Sequence, residues 1–227
     1  MTNIKWELLY DYINTKCNPK TRETSYEASR LKAFKIKMLL EELSVMSNMH
    51  KRNPNKYTAP QCLRCKVEQE DNTHWLVCSK NHVNVKQLIK DETIKWITKR
   101  ADREIAVLQG EKFIQKFLNT ETNEQLKNTI ISIIGIIKEE MYVESKLLVK
   151  KSKRPAICDL MHKITKSIYK KIWKERNEKT NSILAGIKTD PEPNTSRTRT
   201  ITDIQQNEEM NISDAVVTKL DTWHKMY

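Results

Sequence analysis

Four residues stand out for what their types and spacing can do together. Cys62 and Cys65 lie three positions apart, and His74 and Cys78 lie four apart, giving Cys-x2-Cys-x8-His-x3-Cys. A tight turn aims two thiols of the first kind at one point and leaves the amides between them free to bond the sulfurs. A helical turn places the second pair on one face. Three thiols and an imidazole delivered by two rigid pieces make a closed tetrahedral set, which suits one structural Zn2+. Outside the cluster only Cys17 and Cys158 remain, and both read as ordinary buried thiols. His82 is close in sequence but reads as a surface residue.

Metal rather than disulfides also follows from the surroundings. No charged and apolar leader is visible at the N-terminus, so the expectation is an intracellular protein, in nucleus or cytoplasm, with reduced cysteines. The longest apolar stretch, residues 130–137, is far shorter than the ~20 residues of a membrane helix, so no membrane partner is expected.

The elements that must hold such a site are mostly helical. Three glycines, 31% charged residues and abundant Lys, Glu, Ile and Leu favour helices over a turn-rich sheet. The expected architecture is mainly α: a small zinc-binding module embedded in a helical domain, with a disordered C-terminal linker. Residues 1–27 form an N-terminal segment, 28–82 the zinc-binding module, 83–188 a basic helical domain, 189–211 the linker and 212–227 a short C-terminal helix. Within this frame, residues 28–50 read as one helix with Leu31, Phe34, Met38 and Leu43 on its apolar stripe. Residues 102–118 read as one or two helices divided near Gly110. Asn123 reads as the N-cap of a long helix over 123–148, with Leu126, Ile130, Ile133, Ile134, Ile137, Met141 and Leu148 on one face. A last helix spans 155–184. The polar stretch 189–211 lacks the apolar residues that would offset ordering. Ile212, Val216, Leu220 and Trp223 could form a helix that docks back or meets a protein partner.

A formal charge of +12 and a pI near 9.4 point to polyanions as partners, with nucleic acid the commonest. The excess is concentrated: residues 146–179 hold twelve Lys/Arg against Asp159, Glu175 and Glu178. Lys163, Lys166, Lys170 and Lys174 fall on one helical stripe, roughly opposite Ile157, Leu160, Ile164, Ile168 and Ile172. One face can then pack while the other meets phosphates. Tyr169, Trp173 and Arg176 stand nearby as base-stacking candidates. Arg30, Lys32, Lys35 and Lys37, ahead of the cysteines, extend the basic surface. The competing reading makes the stripe a solvated face and Trp173 a core residue.

The order of these features resembles a known family. A basic helix (Arg30-Leu31-Lys32-Ala33-Phe34-Lys35-Ile36-Lys37-Met38) leads to Lys51-Arg52-Asn53-Pro54. Cys62 and Cys65, the acidic step Glu70-Asp71 and His74-Trp75 with Cys78 follow. Residues 28–82 are similar to the zinc-binding segment behind the polymerase in non-LTR retrotransposon reverse transcriptases. Leu43-Ser44 stands where that family often has Leu-Pro, and no Tyr-x-Asp-Asp polymerase motif occurs. The resemblance implies an accessory nucleic-acid-binding piece, taking RNA or DNA, without catalysis. Two other classes stay open. One is a zinc-stabilised helical module that binds a protein, its charge serving solubility. The other, an enzyme, is disfavoured because four protein ligands leave zinc no position for water.

Overall fold

In the computed structural model, residues 5–15, 25–99, 103–119, 121–147 and 155–186 are described. The expected linker over 189–211, the C-terminal helix over 212–227 and Cys17 lie outside them. The chain divides into two compact units, one of residues 2–181 and one that takes in 182–227. Among the described residues all regular structure is helical, and no helix is long and apolar enough to cross a membrane.

Helix α1 (Glu7–Asn14) buries Leu8, Leu9 and Tyr12. Helix α2 (Tyr26–Leu39) starts at Ser25, whose hydroxyl accepts a hydrogen bond from the Ala28 amide. It buries Leu31, Phe34, Lys35 and Met38 and then stops, so the single helix expected over 28–50 is two. Glu41 adopts φ +58°, the Glu42 amide donates to Lys37 O, and the Glu41 amide donates to Met38 O. This is a Schellman ending with glutamate where glycine is usual. After it, Leu43 and Val45 turn into the core, and α3 (Met46–Arg52) follows.

Beyond the cysteine segment and the short α4 (His74–Val77) come α5 (Val85–Thr98) and α6 (Arg103–Phe117). Helix α6 runs through Gly110 undivided. A Cβ there would stand 3.0 Å from Ile97 Cδ1, so the glycine serves a close approach of α6 to α5 rather than a break. Helix α7 (Asn123–Ile133) starts at the expected cap, and its actual cap, Thr122, lies one residue earlier. The Thr122 hydroxyl accepts from the Gln125 amide while the Gln125 side chain accepts from the Thr122 amide, a capping box.

The long helix expected over 123–148 is also interrupted. Gly135 takes φ +104°, and a Cβ at this position would overlap the Tyr12 ring and lie 2.9 Å from Leu9 Cδ1. The chain turns there and resumes as α8 (Glu139–Leu147). Leu126, Ile133, Ile134, Ile137 and Met141 are nonetheless all buried, because both halves of the apolar pattern face the same interior.

That interior is organised by α9 (Ala156–Ile168), against which α1, α5, α7 and α8 pack. Ile157, Leu160, Met161, Ile164 and Ile168 are essentially inaccessible. The helix continues through a single π turn (Tyr169–Trp173) into α10 (Lys174–Gly186). At the turn the Lys174 amide reaches back five residues to Tyr169 O. Tyr169 and Trp173 then meet Phe34 of α2 and Trp75 of α4. The Trp75 and Trp173 ring centroids are 5.0 Å apart, and those of Phe34 and Tyr169 are 5.1 Å apart. These four aromatic rings seat the cysteine segment on the helical core.

Candidate metal centre and basic surface

The ligand-bearing loop is built by its own backbone. Gln61 and Gln69 pair as an isolated bridge, the Cys62 amide donates to Glu68 O, and the Lys66 amide donates to Cys62 O. Lys66 closes the turn at φ +59°. The Arg64 and Cys65 amides face the Cys62 sulfur, and those of Val67 and Glu68 face the Cys65 sulfur. The second half is set by Asp71, whose Oδ1 accepts from the Thr73 and His74 amides and so starts α4. Cys78 lies just past the end of that helix, in extended rather than helical backbone. The single helical face expected for His74 and Cys78 is therefore a helical turn plus its exit.

The four side chains converge all the same. One sulfur or nitrogen atom from each of Cys62, Cys65, His74 and Cys78 lies within 4.8 Å of the other three, close enough to hold one metal ion. Cys62 Sγ and Cys78 Sγ are 3.8 Å apart, and Cys65 Sγ is 3.4 Å from His74 Nε2. A tetrahedron with metal–sulfur bonds of about 2.3 Å has sulfur–sulfur edges of about 3.8 Å, and its sulfur–nitrogen edges are about 3.5 Å. The donor set and its spacing are thus compatible with zinc. Cys62, Cys65 and Cys78 are free thiols, as is the buried Cys158.

The electrostatics around the donors are uneven. Burial pushes the Cys62 thiol up to about 11, with the Glu70 carboxylate adding to it and the amides opposing. Burial acts on Cys65 too, but hydrogen bonds from the Glu68 and Val67 amides, and from Cys62 and His74, outweigh it and bring that thiol down to about 6. The Glu68 carboxylate lies 2.9 Å from His74 Nδ1, which orients the ring so that Nε2 faces the sulfurs.

Behind the sulfurs lies a buried charge network that sequence reasoning did not find. Glu70 accepts from Arg176 Nε at 3.1 Å and from Arg176 Nη2, and also from the Met46 amide at 3.0 Å. Arg64 Nη2 stands 3.6 Å from Glu70 Oε1, while the same guanidinium donates to Asn81 Oδ1 and Trp75 O. Burial alone would raise Glu70, yet Arg176 holds its carboxyl below the usual range. The acidic step Glu70-Asp71 was the available signal, but its two roles, ion pairing and helix capping, depend on partners remote in sequence.

The residues expected to meet nucleic acid divide into two sets. Lys35, Tyr169, Trp173 and Arg176 are interior. The Lys35 ammonium donates to Tyr12 O at 2.5 Å and lies 3.0 Å from His162 Nδ1. Trp173 packs on Trp75 and Phe34, and Arg176 is committed to Glu70. Tyr169 packs on Phe34, and these four are corrected to core positions, since each meets a partner inside the chain. Arg30, Lys32, Lys37, Lys170 and Lys174 are exposed, and Lys163 and Lys166 are half-buried. Lys32 donates to Asn14 on the α1 side of α2. Lys163 pairs with Asp159, which also accepts from Trp96 of α5. Lys170 pairs with Glu27 at 2.6 Å, and Lys166 and Lys174 also act on that carboxylate. His82 is exposed and lies beside Glu175 and Lys179, away from the four donors.

Comparison with family models, curated proteins and solved structures gives no match to this chain.

Proposed function

We propose that this chain is a zinc-stabilised, non-catalytic nucleic-acid-binding module of the kind that follows the polymerase in non-LTR retrotransposon reverse transcriptases. Zinc, when bound, would supply a crosslink between the Cys62–Cys65 turn and the α4 exit. With three thiolates and an imidazole its coordination is complete, which favours a structural over a hydrolytic role. The observation that carries the binding part is the convergence of Lys166, Lys170 and Lys174 on one patch with the start of α2. Their helix is the one that Arg176 ties to the metal-site loop. The ordered run of basic helix, cysteine pair, acidic step and His/Cys pair supports the family assignment.

The test is a salt series with fluorescently labelled single-stranded RNA, single-stranded DNA and duplex. Each neutralised phosphate of a single strand adds about −0.7 to the log–log slope. Changing Lys166, Lys170 and Lys174 together to Gln should flatten that slope by about two units and leave folding intact. Primer extension on an RNA template should stay at background. An unchanged slope and affinity in the triple variant would sink the reading in favour of a protein-interaction module.

A further inference from the structure

Tyr26 opens α2 and is 77% exposed, among the most exposed large apolar residues of the described chain. A tyrosine left in water at the first position of a helix contributes little to folding. Its surroundings give it another use. The Arg30 guanidinium lies 5.3 Å from the Tyr26 ring centroid, which orients the ring and gives it a cationic backing. The next residue, Glu27, is the carboxylate that Lys170 grips at 2.6 Å and on which Lys166 and Lys174 also act. Arg30 is three positions from Glu27 and four from Tyr26, so it neighbours both on the surface of the helix. Lys37, seven positions further on, continues Arg30's face. An open aromatic ring therefore borders a cluster of cations whose centre is filled by the chain's own anion.

We infer that Tyr26 is a base-stacking platform for a single strand of nucleic acid, and that Glu27 holds the place of a backbone phosphate. This rests on the nucleic-acid reading proposed above and goes further by naming the form of nucleic acid and the residues that select it. A lone exposed ring can stack only on a base whose own face is free, which a single strand offers and a duplex does not. When the strand arrives, a phosphate takes Lys166, Lys170 and Lys174 from Glu27, and the carboxylate swings to water. Phosphate competes well because these lysines already converge on a point of negative charge. Glu27 makes binding weaker than the lysines alone would allow, and keeps them ordered without a ligand.

The experiment measures anisotropy of the zinc-loaded full chain with a labelled single-stranded RNA, its DNA equivalent and a duplex of the same length. Tyr26→Ala should weaken single-strand binding by about five- to a hundredfold and change duplex binding less than twofold. Tyr26→Phe should restore it, because the ring rather than the hydroxyl stacks. Glu27→Gln should tighten binding several-fold, opposite in sign to Lys170→Gln. All these side chains are exposed, and an unchanged thermal midpoint verifies folding. If the wild type binds but Tyr26→Ala has no effect, or acts equally on duplex, the platform is refuted while the nucleic-acid reading stands. Unchanged or weaker binding by Glu27→Gln refutes the phosphate exchange. A wild type that binds no strand better than a generic protein of equal charge overturns both readings, leaving this face to a protein partner.

Discussion

Arg176 reaches across 106 residues of sequence to grip Glu70 through two guanidinium nitrogens, and the two side chains are only 2% and 1% exposed. The pair fastens the loop between the two halves of the metal site to α10. Arg176→Met leaves a carboxylate buried beside Cys62 with Arg64, 3.6 Å away, as its remaining counter-charge. Breaking such a pair costs about 3–5 kcal/mol, and Arg64 should hold the loss to the lower end. Glu70→Gln combined with Arg176→Met should recover part of it. Urea unfolding of the metal-loaded variants measures both, and full stability in the single variant would show the pair to be idle.

Metal content should be about one zinc per chain, and Cys65→Ser should lose it together with the local order of residues 60–78. Glu68→Ala is a milder probe, because its carboxylate only orients His74. Orienting partners of this kind contribute about 10- to 100-fold in affinity, and since Glu68 is largely exposed a drop near tenfold is expected. Competition with a chromophoric chelator reads the change. Equal affinity in Glu68→Ala and wild type would remove Glu68 from the site.

Acid sensitivity should be traceable to His162. Burial, reinforced by Lys35 and the nearby Lys166 and Lys163 against the opposing Asp159, lowers its folded value to about 3. The unfolded chain takes up this proton near pH 6.5 while the folded chain refuses it until about pH 3. Stability from the neutral ring is therefore intact above pH 6.5 and declines on acidification through that window, by up to about 1.4 kcal/mol per pH unit. His162→Gln keeps an acceptor for Lys35 and should flatten the pH dependence of urea unfolding relative to wild type. Metal release and carboxylate protonation act in both proteins, so parallel curves would exclude His162.

Gly135→Ala should destabilise the fold by more than about 2 kcal/mol. It sets a side chain in a left-handed conformation and pushes it into the Tyr12 ring. Gly110→Ala meets only the flexible end of Ile97, at 3.0 Å, and stays helical. It should cost far less, and thermal midpoints rank the two. Equal losses would mean that Gly135 is not a pivot.

The convergence of Cys62, Cys65, His74 and Cys78 was legible because their spacing is short-range, and the apolar stripe of α9 because a helix has one period. The breaks at Glu41 and Gly135 were not. A Schellman turn on glutamate has no residue signal, and the apolar pattern of 123–148 continues across Gly135 since both halves face one core. Lys35, Trp173 and Arg176 misled for a related reason. A cation or indole at a solvent-like position on one helix can be turned inward by elements far away in sequence, here Tyr12, Trp75 and Glu70. Tyr26 carried no signal at all, because exposure belongs to the assembled fold.

The π turn at Tyr169–Trp173 makes the helix across 156–186 a counting device. A widened turn holds one residue more than an α turn, so everything after it is advanced by one place, about 100° of rotation. Upstream of the turn the count is set by the core of α9, and downstream by the grip of Arg176 on Glu70. Both ends are fixed, so the surplus residue has to be absorbed between them. Removing Lys171 would let the helix close into a regular α form and leave Arg176 facing its carboxylate, whereas closing the turn to α form with all its residues kept would carry Arg176 about a quarter-circle away. What is constrained in this segment is thus the register of its two ends, and the exposed Lys171 is a residue that the turn can spare.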